Sequence, residues 1–169
     1  AQVVFAPKRS GSSKGDIVNV RMEGVSEVYE NGIKSDSVEE LYLPDVVTVG
    51  DDAFSTTFPW LETVDLSNAK VIGKRAFSDC RRLESLTLKK VETLQEGSFE
   101  YTDALTKLTL PKTLKTIENI RFGIVRNGNK SGTKITLQCT TPPTVANGAF
   151  KGVSSVTRAS VFIIPHGSL

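Results

Sequence analysis

Apolar residues along this 169-residue chain follow two interleaved tracks. On the first, Val49, Ile72, Leu94, Ile117 and Val145 each stand five residues before a phenylalanine: Phe54, Phe77, Phe99, Phe122 and Phe150. The steps between these phenylalanines are 23, 22, 23 and 28 residues. Three of them follow Ala (Ala53, Ala76, Ala149) and Phe99 follows Ser98. On the second track, Leu43, Leu66, Leu88, Leu110 and Leu137 each close an apolar-x-Leu pair, at steps of 23, 22, 22 and 27. The two tracks hold one phase through about five units. No single helix or strand period accounts for them.

A fixed period of this size marks a repeat architecture, and units of about 20 to 29 residues with an L-x-x-L-x-L core fit a leucine-rich-repeat coil. Each core (Leu61 to Leu66, Leu83 to Leu88, Leu105 to Leu110) reads as a short strand. Alternation turns Leu86 and Leu88 inward and Thr87 outward. One strand cannot bury its apolar face alone, so successive units stack and build a continuous core. The aliphatic-Gly-x-x-Ala-Phe part is the return path, with Gly50 and Gly73 read as turn residues at positive φ and Phe as core filler. The predicted fold is a β-rich solenoid. It is a right-handed coil of about five to six turns, with a parallel sheet on one face and irregular or short helical return segments.

The stretch LETVDLSNAKVIGKRAFSDCRRL resembles the BspA-like leucine-rich repeats of bacterial surface proteins of the Bacteroides and Treponema type. VEELYLPDVVTVGDDAF and LTKLTLPKTLKTIENIRF match the same pattern with one or two departures. The resemblance covers about Val38 to Leu169, with ASVFIIPHGSL looking like a closing strand over about 160–165. It implies a secreted or cell-surface location, compatible with a lipid anchor upstream of this chain, and adhesion as the best-known role.

Residues 1–37 do not follow the repeat. Residues 1–16, rich in Ser, Gly and Lys, read as a flexible tail. Residues 17–37 alternate apolar and polar positions around an Asn31-Gly32 turn signal and read as a β-rich N-terminal cap. The repeat domain then runs over 38–169, with a loop insertion at about 123–133. The apolar stretch at the start is too short for a signal peptide, and no apolar run approaches the roughly 18 residues of a membrane span. A formal net charge of +2 does not by itself imply a nucleic-acid partner, and none is expected.

Candidate chemistry is sparse. Gly11-Ser12-Ser13-Lys14-Gly15 fits G-x-S-x-G but lies in the tail, and the one histidine, His166, is near the other terminus. GIVRNGNKS, from Gly123, resembles a phosphate loop broken by Asn129. Asn129-Lys130-Ser131 is a glycosylation sequon, effective only in a eukaryotic secretory pathway. Cys80 and Cys139 stand about two strand spacings, roughly 10 Å, apart in the stack, too far for a disulfide. A zinc site lacks ligands. No enzyme, cofactor or metal site is expected.

Two surface columns remain. Glu39, Glu62 and Glu84 occupy equivalent repeat positions, and Tyr42, Asp65, Thr87, Thr109 and Thr136 form an outward ladder beside them. Glu39, Tyr42, Glu62, Asp65, Glu84 and Thr87 make the candidate interface for a protein or glycan ligand. Lys70, Lys74, Lys89, Lys90, Lys112 and Lys115, with Arg75, Arg81 and Arg82 near them, form a basic edge in which no aromatic residue is seen to interleave. The leading expectation is a monomeric, non-enzymatic binding or adhesion module. The alternative is a structural spacer that presents other domains of a longer chain.

Overall fold

The two sequence tracks become two stacks of short parallel strands on opposite sides of one core. The computed structural model describes residues 2–7, 17–121, 133–150 and 155–158, with side chains from residues 19–121 and 133–150. Phe122, the loop expected over 123–133 except Thr133, and the closing strand expected near 160–165 lie outside the described residues. So do residues 11–15, the sequon and His166.

In chain order the strands begin with β1 (Gln2–Pro7), β2 (Ile17–Glu23), β3 (Glu27–Val28), β4 (Glu40–Tyr42) and β5 (Thr48–Val49). β6 (Thr63–Asp65), β7 (Val71–Ile72), β8 (Ser85–Thr87), β9 (Thr93–Leu94) and β10 (Lys107–Leu110) follow. The last are β11 (Thr116–Ile117), β12 (Lys134–Leu137), β13 (Thr144–Val145) and β14 (Ser155–Arg158). Among the described residues there is no helix, and the return segments are turns and bends.

The L-x-x-L-x-L strands form one face, in the orders β1-β2-β4-β6-β8 and β10-β12-β14. The two-residue strands ahead of each Gly position form a second sheet, β3-β5-β7-β9-β11-β13. Every pairing except β1–β2 is parallel. The register matches repeat position to repeat position: Leu41 opposes Val64, Val64 opposes Leu86, and Ile72 opposes Leu94. The chain is therefore a parallel β-solenoid, as the repeat predicts.

Phe54, Phe77 and Phe99 fill the middle of the coil. Their rings stack at 5.0 Å and 5.8 Å between centroids, with interplanar angles of 19° and 4°. All three are fully buried, as is Phe150. Burial of each such side chain contributes roughly 1.5–3 kcal/mol. Ala53, Ala76, Ser98 and Ala149 are buried beside the rings they precede.

The structure corrects the role read for Gly50 and Gly73. Neither has positive φ. A Cβ on Gly73 would meet the Gly50 carbonyl carbon at 2.5 Å and the Asp51 nitrogen at 2.7 Å, so the side chain is excluded by the neighbouring coil's backbone. The left-handed residue lies two places later: Asp52, Arg75, Gly97 and Gly148, each two before its Phe, with φ from 49° to 74°. There the conformation turns N–H groups toward the next coil. Asp52 N–H donates to Lys74 O at 2.8 Å and Arg75 N–H to Glu96 O at 3.0 Å. A second left-handed column, Thr56, Asp79 and Tyr101, follows each ring.

The N-terminal segment also departs from expectation. Residues 17–28 supply β2 and β3, which continue both sheets in parallel: Val20 opposes Leu41 and Val28 opposes Val49. Ile33, which follows Val28 by the same five residues that separate each aliphatic residue from its phenylalanine, is half-buried against the core. Both sheets thus extend to strands on the N-terminal side of Val38. Residues 2–7, expected within the flexible tail, form β1, antiparallel to β2. An added strand there takes up the hydrogen-bonding edge that β2 would otherwise present.

Candidate binding face

Strand alternation on β4, β6 and β8 sends Leu41 and Val64 into the core and leaves two outward columns. One is Glu40, Thr63 and Ser85, and the other is Tyr42, Asp65 and Thr87, each in direct register. Just before the strands, Glu62 N–H donates to Glu39 O at 2.8 Å and Glu84 N–H to Glu62 O at 2.9 Å, which stacks the three glutamates. All six residues of the candidate interface therefore belong to one face.

The side chains are partly committed to one another. Tyr42 Oη donates to Glu40 Oε2 at 2.9 Å. That hydrogen bond, followed by burial and the charges of Glu40 and Asp65, raises the Tyr42 pKa above its ordinary value. Asp65 Oδ1 accepts from Ser67 N–H at 2.9 Å and Ser67 Oγ at 2.6 Å, so Asp65 also closes the turn that ends its strand.

The outward ladder is interrupted. Thr109 and Thr136 are in register with each other, but they belong to the separate sheet that starts at β10. Elsewhere on this face Leu43 N–H donates to Asp65 O and Leu66 N–H to Thr87 O. No corresponding bond joins Leu88 to Thr109 among the described residues. Behind the break lies a cleft of about 310 Å³, lined by Leu86, Thr87, Leu88, Lys89, Thr109, Pro111 and Gln138. Leu86, expected to point inward, is only half-buried for this reason. On the opposite side of the coil β9 and β11 remain paired, Leu94 against Ile117.

Sequence reasoning missed two aromatic contacts at the turns leading into the strands. Trp60, 45% exposed, lies under the Arg82 guanidinium at 4.1 Å from the ring centroid. Arg82 also approaches Glu62 at 3.7 Å. Arg81 lies 6.0 Å from the Tyr101 ring and donates to Asp79 Oδ1 at 2.8 Å. Aromatic residues do interleave with the basic edge, contrary to expectation. Trp60 and Arg82 are one repeat apart, each immediately before the first Leu of a core, and that alignment was the available signal.

Elsewhere the basic edge is interleaved with carboxylates. Arg75 forks onto Asp52 at 2.6 and 2.9 Å, Lys115 pairs with Glu92, and Arg121 lies 3.0 Å from Glu96 and 3.6 Å from Glu100. Alternating signs blunt the long-range field that would gather a polyanion.

Both cysteines are buried and free. Burial, then the Asp79 charge, pushes the Cys80 thiol up to about 12, and burial raises Cys139 as well. Such thiols are protonated and poorly nucleophilic at neutral pH. Among the described residues no group of three or more His, Cys, Asp or Glu is placed to hold a metal ion. No helix among them is long and apolar enough to cross a membrane.

Residues 25–127 match the family model described as the BspA type leucine rich repeat region, in six copies. A comparison with curated proteins finds no match. Among solved structures, the chain is similar to the crystal structure of a leucine rich cell surface protein from Faecalibacterium prausnitzii, with 19% identity and a TM-score of 0.60. That similarity covers 86% of this chain and 48% of the other, so the chain spans about half the length of that protein.

Proposed function

Starting from the fact that this chain belongs to the BspA-type leucine-rich-repeat family, we propose that it is a non-enzymatic binding or adhesion module of a bacterial cell-surface or secreted protein. Its ligand is a protein or glycan taken on the strand face around Glu39, Tyr42, Glu62, Asp65, Glu84 and Thr87. The observation that carries this reading is the register of the face, which sets Tyr42 beside Asp65 on adjacent strands, on the same face as the stacked column of Glu39, Glu62 and exposed Glu84. Repeat solenoids use such extended faces to bind partners, and a Tyr among polar neighbours suits an interface anchor. The cell-surface relative supports the location.

The test is binding of this chain to an array of host matrix proteins and glycans, beside the double variant Tyr42→Ala, Asp65→Lys. A hit lost in the variant, at unchanged thermal stability, supports the strand face. A hit that persists in the variant and disappears at high salt moves the site to the basic edge. Absence of any hit favours the spacer, a structural element displaying other domains of a longer protein.

A further inference from the structure

The strand face changes sign along the coil axis, and it does so where the sheet divides. Ahead of the break lie Glu39, Glu40, Glu62, Asp65 and Glu84, which outnumber the cations beside them, Arg21 in register with Tyr42 and Arg82 near Glu62. Behind it the outward positions of β10 and β12 carry Lys107 and Lys134, in register and both exposed. Lys89 stands on the rim of the cleft between the two blocks. Leu86, Leu88 and Pro111 give the cleft apolar walls, and Thr87, Thr109 and Gln138 give it polar ones. A volume of about 310 Å³ is at the small end of the range for ligand pockets and suits one large side chain. Interfaces concentrate binding energy where one anchor fills such a pocket near the centre of the contact.

We propose that this face takes an extended polypeptide segment of a partner protein, laid along the coil axis, with a large apolar side chain seated in the cleft between β8 and β10. A basic residue of the segment lies over the acidic block, and an acidic residue lies over Lys107 and Lys134. The proposal rests on the reading of the strand face as the binding surface and specifies its ligand. A polypeptide fits better than a glycan for two reasons. It supplies both charge signs and an apolar anchor at fixed spacing. The cleft lining has no aromatic ring for a sugar to stack on.

The dimensions agree. The cleft lies midway between β6, which carries Asp65, and β12, which carries Lys134. Three strand spacings of about 4.8 Å make roughly 14 Å along the axis, and Lys134 is offset two residues, about 7 Å, along the strand from the column of Asp65, so the two positions are roughly 16 Å apart; residues i and i+4 of an extended chain are about 13 Å apart on one side, a gap that long charged side chains span. The predicted motif is therefore basic-x-apolar-x-acidic. A segment can lie in either direction, so the reversed order also fits.

The experiment uses the full chain and immobilised synthetic nonapeptides centred on Lys-Thr-Phe-Thr-Glu. Comparison peptides carry the reversed order, two lysines, two glutamates, or Ala in place of Phe. Both opposite-charge peptides should bind at least about tenfold more tightly than the like-charge and Ala peptides. Thr109→Trp, which fills the cleft from an exposed position, should remove that preference while leaving the thermal midpoint unchanged. A second variant, Thr87→Trp, serves if the first perturbs folding. Equal binding of all five peptides, or undiminished preference in a folded cleft-filled variant, overturns the proposal. Sedimentation that shows dimerisation abolished by Thr109→Trp overturns it in favour of a second copy as the occupant. An array ligand lost in Tyr42→Ala, Asp65→Lys but kept in Thr109→Trp rejects the cleft while leaving the strand face as the binding surface.

Discussion

At the residue scale, the repeat's small positions are held by contact rather than by torsion. Gly73 has ordinary φ but no room for a side chain. Gly73→Ala should cost about 1–3 kcal/mol, the usual penalty of overpacking. Gly50→Ala should cost less, because its nearest obstacle is one carbonyl oxygen at 3.0 Å. Urea denaturation of the two variants measures the difference. Ser98 occupies the alanine position of its coil, and its buried Oγ has no hydrogen-bond partner among the described residues. Ser98→Ala should raise stability by about 1 kcal/mol, since a buried unsatisfied polar group costs about 1–3 kcal/mol. The Cys80 thiol, pushed to about 12 from an ordinary value near 9, favours the folded state while it stays protonated. Its contribution is complete below pH 9 and is lost as pH rises toward 12, where the unfolded chain ionises first. Comparing urea midpoints at pH 8 and 10.5 for the wild type and Cys80→Ala checks this. The wild type should show the larger alkaline loss.

At the element scale, the stacked phenylalanines and paired short strands depend on each other. A two-residue strand such as β7 (two ladder partners, β5 and β9) has little stability of its own. Its position comes from Ile72 and from Phe77, which lies between Phe54 and Phe99. Phe77→Ala should destabilise by about 3–5 kcal/mol, and calorimetry should show it as one lowered transition. The track of aliphatic-plus-five-to-Phe makes these coils legible in the residue order itself, because each Phe must fill the same place in the core. The same track conceals the first coil, because Ile33 replaces Phe and Tyr29 replaces the glycine after Val28. The left-handed column is also invisible in composition. Its residues are Asp52, Arg75, Gly97 and Gly148, and only two of the four are glycine.

At the scale of the whole molecule, the register of the coil turns a one-dimensional pattern into surface columns, and this is why Glu39, Glu62 and Glu84 could be aligned from spacing alone. The Trp60–Arg82 and Tyr101–Arg81 stacks were less legible, since they join turns whose path the period does not specify. The divided face was not legible at all. Leu83 to Leu88 and Leu105 to Leu110 both fit the strand pattern, and nothing in them marks an interrupted ladder.

That interruption has a mechanical consequence for the coil. Tension along the coil meets two ladders between the neighbouring coils from β2 to β9 and again between the coils of β10 and β12, but among the described residues one, β9 with β11, between the coil of β8 and the coil of β10. Flow or traction should therefore part the domain there first, and a single-molecule pulling trace should show two rupture events rather than one. Closing the seam with a Thr87→Cys, Thr109→Cys disulfide should merge them. If one event persists without the disulfide, the seam bears as much force as its neighbours.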